Sequence, residues 1–277
     1  MKEVGLKDAI NAVSDVVQNR PRPLREFDQI HMKTGDMVMQ SEIVADWADG
    51  KRLAFIGDGD AISVCVAYLA ARKVLDFGPS KITVFDFDER NVQAVKRFAD
   101  HERLVHLDAE LYNVLDPFPQ PGRFDFFYTN PPWGASNQGA SVNVFMQRGF
   151  EAVVEDGEGV VVIADDDELV WSKVVLANVQ RFASERAFYV SRMQRKLHEY
   201  HLDDAPDLRS CNLFFSAVPG RRAAAKSEPI PLGDDRLLNF YGMGQPPRVK
   251  YVLEKKKPDY GRASEDEYSI KWLEEGR

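Results

Sequence analysis

Phe124-Asp125-Phe126-Phe127-Tyr128-Thr129-Asn130-Pro131-Pro132-Trp133 is an apolar run cut short by a polar residue, two prolines and a tryptophan. The run through Thr129 reads as a buried strand. Two consecutive prolines cannot continue it, and the first holds residue 130 in extended or turn geometry. The strand therefore stops with Asn130 at its carboxyl end, which in open α/β sheets is where ligands sit. The Asn130 amide offers both donor and acceptor, and Trp133 offers a flat apolar wall. With Pro131 and Pro132 they suit a planar or cationic nitrogen whose lone pair is aimed at an electrophile. The plainer alternative is a strand-ending turn with a core tryptophan.

Outward from this strand, short apolar runs alternate with helical stretches over residues 51 to about 218. Leu53-Ile56, Lys81-Phe85, Leu104-His106, Phe124-Thr129, Gly159-Ala164, Arg186-Val190 and Cys211-Ser216 are the strand candidates. Such alternation predicts an α/β fold, a doubly wound, mostly parallel seven-stranded sheet with helices on both faces. Before it, Leu6, Ile10, Val13, Val16 and Val17 have helical spacing, broken at Pro21 and Pro23 and resumed near Ser41 to Trp47. The expected organisation is an N-terminal helical cap (1–48), a catalytic domain (49–220) and a charged, proline-bearing C-terminal appendage (221–277), partly disordered at its end.

Composition narrows the function. The chain has 277 residues, 44% hydrophobic and 29% charged, with a net charge of -8. No apolar run approaches the about 20 residues of a membrane span, and Met1-Lys2-Glu3-Val4 leads into no signal-like apolar stretch. The negative charge argues against broad contact with a phosphate backbone, so nucleic acid is not expected as a partner. It suits a small cationic amine substrate. Cys65 and Cys211 lie far apart in apolar contexts, which points to a reducing, cytoplasmic location and no zinc site. A homodimer is compatible with all of this.

The first strand runs into Gly57-Asp58-Gly59-Asp60, and a helix-like segment follows from Ile62. Glycines there permit a sharp turn and close approach of a ligand. Ile62 leaves the dinucleotide fingerprint incomplete, and Asp58 and Asp60 would repel a pyrophosphate. They favour amino or sulfonium charge instead, and so a cofactor of the S-adenosylmethionine type over NAD. Alternatively, an aspartate here caps the helix. Asp86, ending the second strand, is placed to accept from ribose hydroxyls, and Asp88 to cap the next helix. Beyond the third strand, Glu110 is the candidate for an adenine amine.

The fifth strand runs into Asp165-Asp166-Asp167-Glu168. Asp165 is a candidate proton acceptor beside Asn130, Asp58 and Asp60, while Asp166 and Asp167 could bind a polycation. The alternative is an acid-rich helix amino terminus. Segment 198–204 reads as a loop before Pro206; His198 and His201 lack a third ligand of convincing spacing, so no metal is expected. Arg192, Arg195 and Lys196 read as a solvated helix face.

The order of these motifs resembles the class I S-adenosylmethionine-dependent transferase fold, and N-P-P-W resembles the (D/N/S)-P-P-(Y/F/W) motif of amino methyltransferases. A longer resemblance, over roughly residues 22 to 216, is to the catalytic domain of the branched-chain polyamine synthases, the N4-bis(aminopropyl)spermidine synthases. It comprises Phe27-Asp28-Gln29 with Thr34, Gly57-Asp58-Gly59-Asp60 at the family's G-D-D-D, and Phe85 to Arg90 at its D-x-D-E-R region. It continues through Phe124-Asp125 and Thr129 to Trp133 at its T-D-P-P-Y, then Arg148-Gly149-Phe150-Glu151-Ala152. The resemblance implies aminopropyl transfer from decarboxylated S-adenosylmethionine to a polyamine amine, with Tyr200 walling the acceptor pocket. Gly59 and Asn130 stand where the family has aspartates, and the family's amino-terminal winged-helix extension is not expected here. An amide cannot act as a general base at neutral pH. Methyl transfer from S-adenosylmethionine, or a catalytically inactive ligand-binding relative, are therefore the alternatives.

Overall fold

The computed structural model describes residues 5–203, 205, 207–231, 237–241, 248–257 and 267–273. Seven strands form one sheet in the order β3-β2-β1-β4-β5-β7-β6. They are β1 (Arg52–Ile56), β2 (Lys81–Asp86), β3 (Leu107–Leu111), β4 (Phe124–Thr129), β5 (Val153–Ala164), β6 (Phe188–Glu199) and β7 (Arg209–Ala217). β1 to β5 pair in parallel, and β7 runs antiparallel between β5 and β6. The doubly wound, mostly parallel sheet expected from the alternating pattern is present.

Side chains sort to the two faces with period two, as a pleated strand demands. Leu53, Phe55, Val160 and Val162 pack into one core, against α3 (Ile62–Ala71) and α4 (Glu89–Glu102). Ala54, Ile56, Val161 and Ile163 pack into the other, against α5 (Ala140–Ala152) and α6 (Val170–Ser184). Burial on both faces explains why these strands read as continuous apolar runs. Phe127 on β4 lies against two glycines. A Cβ added at Gly149 would come within 2.2 Å of its ring, and one at Gly159 within 2.0 Å. Thr129 Oγ1 donates to the Ile56 carbonyl at 2.6 Å, which ties the end of β4 to the end of β1.

α1 (Leu6–Asn19) and α2 (Thr34–Trp47) pack onto the α3 side of the sheet. Of the apolar α1 positions, Val13 and Val16 are buried, whereas Leu6 and Ile10 face solvent. α2 begins at Thr34, well before the expected resumption at Ser41.

The third strand begins at Leu107, not Leu104; Leu104 precedes it and its amide closes a turn onto the Ala99 carbonyl. Arg192, Arg195 and Lys196 lie on β6, not on a helix, because that strand continues past Val190 to Glu199. His198 is therefore a strand residue rather than part of a loop. Asp204 and Pro206 lie outside the described residues, as do residues 274–277, for which terminal disorder was expected. Within 221–277, Leu237, Phe240, Tyr241, Val249 and Val252 are buried in the second core. β8 (Val249–Glu254) and β9 (Tyr268–Trp272) form a hairpin joined to the main domain by the Arg97–Glu254 ion pair at 2.6 Å. Among the described residues no helix is long and apolar enough to cross a membrane.

Candidate active site

The carboxyl ends of β1, β2 and β4 open into one cleft of about 840 Å³, counting its mouth. Its largely apolar walls with a few converging polar groups are typical of a small-molecule site. It brings together Gly57, Asp58, Gly59, Asp60, Asp86, Asn130, Pro131, Pro132, Trp133 and Tyr200, all expected from the sequence.

Its floor is the turn after β1. Gly57 has φ +74° and its amide donates to the Phe85 carbonyl at 2.8 Å. An L side chain is strained at that φ, and a Cβ would also approach Phe145 to 3.3 Å. Asp58 is buried and caps α3. Its Oδ1 accepts from the Ile62 amide at 2.9 Å, and its Oδ2 accepts from the Ser63 amide at 3.1 Å and hydroxyl at 2.5 Å. The helix-capping alternative thus describes Asp58, whose two oxygens both serve the first turn of α3. Asp86 Oδ2 accepts from the Asp58 amide at 3.0 Å, and Oδ1 from the Asp88 amide at 2.8 Å. Asp88 caps α4 as expected, and also holds Arg90 in a buried, two-point pair.

Asn130 is oriented by its neighbours. Its Nδ2 donates to Asp60 Oδ2 at 2.8 Å and lies 3.5 Å from the Tyr200 hydroxyl. A carboxylate only accepts, so the amide nitrogen must face Asp60 and the oxygen must face Trp133, whose Nε1 is 3.4 Å away. Asn130 Oδ1 keeps a lone pair for an incoming N–H. Asp60 Oδ1 accepts from the Met32 amide at 2.7 Å. Trp133 and Tyr200 meet edge to face at 5.0 Å, and the Tyr200 hydroxyl bonds Ser210 Oγ at 2.9 Å.

The electrostatics follow from packing acids together. Burial, helped by Asp60 and Asp86, pushes the Asp58 carboxyl well up. Burial also raises Asp60, against the pull of Arg20, and raises Asp86 to about 6, with Asp88 adding to it. Asp28 is raised to about 6 by burial too. Burial drives His31 well down, so its imidazole is neutral. Four aspartates line the cleft, and no lysine or arginine does among the described residues. A bound cation would relieve this repulsion.

Other expected residues lie elsewhere. Glu110 does not line the cleft; it accepts from Gln120 Nε2 at 2.7 Å, and Tyr112 and Val114 form the wall beyond β3 instead. Asp165, Asp166 and Asp167 do not line it either. Asp165 is buried against Arg195 (2.8 Å) and the Lys196 amide (2.9 Å). Asp167 bonds Arg195 and Lys196, and Asp166 Oδ1 accepts from the Glu168 amide. Arg195 and Lys196 of β6, one strand beyond β7, pair with Asp165 and Asp167, so two of the three aspartates expected to bind a polycation already face cations outside the cleft. His198 Nδ1 and Nε2 are taken by Ser210 Oγ and Gln40 Oε1, each at 2.8 Å. Arg148 and Gly149 are structural: Arg148 Nε donates to the Val114 carbonyl at 2.8 Å, and Gly149 makes room for Phe127.

The sequence reading missed Asp28 and His31, which reach the cleft from the segment between α1 and α2, and the aromatic wall. In that wall Phe87 and Tyr241 stack at 5.6 Å, and Phe27 meets both edge-on. The only signal for Asp28 was its place in Phe27-Asp28-Gln29; nothing local marks Tyr241.

Comparison with known proteins places this architecture. A protein of Methanocaldococcus jannaschii without an assigned function is 27% identical over 244 residues, 87% of this chain and 56% of that protein. The N(4)-bis(aminopropyl)spermidine synthase of the same organism is 25% identical over 151 residues, 53% of this chain and 40% of that enzyme. The chain thus spans about half the length of the curated relatives it matches. The crystal structure of the Thermus thermophilus branched-chain polyamine synthase, in complex with N4-aminopropylspermidine and 5'-methylthioadenosine, superposes with a TM-score of 0.69 at 22% identity. That match covers 86% of this chain and 70% of that one. It establishes the class I methyltransferase-like fold. Residues 8–229 match the Branched-chain polyamine synthase A C-terminal domain, and the chain belongs to that family.

Proposed function

We propose that the protein transfers an aminopropyl group from decarboxylated S-adenosylmethionine to an amine of a polyamine. One observation carries this reading: the cleft is lined by Asp28, Asp58, Asp60 and Asp86 and by no lysine or arginine among the described residues. Intact S-adenosylmethionine carries a carboxylate that such a lining repels, whereas the decarboxylated donor and a polyamine are purely cationic. The named relatives, a bis(aminopropyl)spermidine synthase and a synthase solved with an aminopropylated spermidine, support the same chemistry.

In this reading a sulfonium over the Gly57–Asp60 turn supplies an activated carbon and a good leaving group. Asp86 accepts from the ribose hydroxyls, and the adenine lies near Phe87, Tyr112 and Val114, the residues that replace Glu110. Asn130 Oδ1 accepts an N–H of the acceptor amine and fixes the direction of its lone pair. Trp133, Pro131, Pro132 and Tyr200 wall the acceptor from water. The enzyme's contribution is positioning and electrostatics. Residues 1–48 are read as a cap over 49–220, and 221–277 as an appendage that lends Tyr241 to the cleft.

Calorimetry with both donors, then mass spectrometry over a panel of amines, tests this. The decarboxylated donor should bind more tightly, and products should gain aminopropyl units with release of methylthioadenosine. Preference for S-adenosylmethionine with methyl gain would favour an N-methyltransferase, the reading that Asn130 in N-P-P-W also fits. Donor binding without turnover on any amine would identify an inactive relative.

A further inference from the structure

We infer that Asp28 is the proton acceptor for the attacking amine in this reaction. The inference rests on the proposed aminopropyl transfer and names the group that makes the nucleophile. A polyamine nitrogen is an ammonium at neutral pH and has no lone pair until a proton leaves. Asn130, placed against it, cannot take that proton.

The other groups of the cleft are committed. Asp58 holds the first turn of α3 with both oxygens. Asp60 is held by the Met32 amide and Asn130 Nδ2, with Arg20 at 3.8 Å. Asp86 accepts backbone amides on both oxygens. His31 is a poor base, driven down by burial and by Arg20. Burial pushes the phenols of Tyr112, Tyr200 and Tyr241 up, so they are protonated.

Asp28 differs from all of these. It lines the cleft, and its carboxylate has no hydrogen-bond partner among the described residues. Its position is enforced. It sits in the left-handed region at φ 57°, closing a short 3-10 turn (Arg25–Phe27) through its own amide to the Arg25 carbonyl at 3.1 Å. Its neighbours are pinned: Phe27 packs edge-on against the stacked Phe87 and Tyr241, and Gln29 accepts from the Leu24 amide at 2.8 Å and donates to Asp88 at 3.2 Å. A carboxylate held in an uncommon backbone conformation and given no donor is arranged to receive one. Burial raises it to about 6, with Arg25 opposing, so it is ionised at neutral pH yet more basic than an exposed aspartate.

The step balances. The acceptor ammonium gives one proton to Asp28, and the freed lone pair forms the N–C bond. The C–S bond breaks with its electrons on sulfur, leaving neutral methylthioadenosine. The product nitrogen retains one positive charge, and Asp28 releases its proton to solvent.

The test uses the full chain with decarboxylated S-adenosylmethionine and spermidine. Asp28→Asn and Asp28→Gly both tolerate the left-handed conformation, so the turn survives. Each should lower kcat by about 100-fold or more at pH 7. Methylthioadenosine affinity should stay within about threefold. The variants' rate should climb about tenfold per pH unit toward the amine's own pKa near ~10, where the wild type levels off above about pH 7. Variants that keep the wild-type rate, or its pH profile, overturn the inference. So does loss of methylthioadenosine binding in both, which would make Asp28 a folding residue. A wild type that transfers nothing defeats the proposed function first, and this inference with it.

Discussion

Replacing Asn130 by aspartate is the most direct test of how the cleft is wired. In the native chain Asn130 Nδ2 donates to Asp60 Oδ2 at 2.8 Å. Asn130→Asp puts an oxygen in its place against a buried carboxylate. The lost hydrogen bond to a charged acceptor is worth about 1.5–3 kcal/mol. Two full charges about 4 Å apart would add about 4 kcal/mol of repulsion at an effective dielectric constant of about 20. The pair avoids most of this by sharing one proton, and its upper pKa rises further than that of Asp60 alone. The sign follows from proton counting. Above the unfolded carboxylate value near ~3.9, the folded variant binds a proton that the unfolded chain does not. Its stability therefore falls as pH rises, by about 1.4 kcal/mol per unit, until the shared proton leaves. Near about pH 4 the variant should nearly match the wild type; near about pH 8 it should be about 3 kcal/mol less stable, or about 6–12 °C lower in Tm. Spermidine at saturation should narrow that gap, since a cation between the carboxylates removes its cause. Thermal melts across this pH range, with and without spermidine, decide it. A gap independent of pH, or one that shrinks as pH rises, refutes the orientation assigned to Asn130.

Gly159→Ala drives a Cβ to 2.0 Å from the Phe127 ring, which Gly149 leaves room for only on its other side. It should cost about 3 kcal/mol in chemical denaturation, partly recovered by Phe127→Leu in the same chain. No recovery would mean that the clash is not with Phe127. His198 is buried, and burial lowers it to about 3. Its contribution is complete above about pH 6.5 and is lost as pH falls toward the folded value, by about 1.4 kcal/mol per unit. Urea titrations should show a shallower acid loss in His198→Gln; an unchanged slope would assign that loss to other groups such as His31. Asp86→Ala should raise the donor Kd by about tenfold or more with less effect on kcat, and Asn130→Ala should do the reverse. The opposite pattern would exchange their roles.

Much of the fold could be read from local chemistry. Phe124–Thr129 is a strand over the expected residues because its apolar run ends at a pair of prolines, whose fixed φ and missing amides allow no other outcome. β3 was displaced because Leu104 and Val105 are apolar but belong to the turn, and only pairing with β2 settles the register, Ile82 to Leu107. The acids after β5 misled for a related reason. A run of carboxylates looks the same whether it faces a ligand or a cation from another strand, and Arg195 is thirty positions away from Asp165.

The chain alone decided that the strands alternate with helices, that β1 turns on Gly57, and that β4 ends at Asn130, because backbone sterics and hydrophobic periodicity act between near neighbours. Only the folded arrangement decided which acids share one cleft. Asp28, Asp60 and Asp86 come together because a loop, a β1 turn and a β2 terminus converge at the same sheet edge. Burial and mutual repulsion there give these carboxylates properties that none of them has in an extended chain.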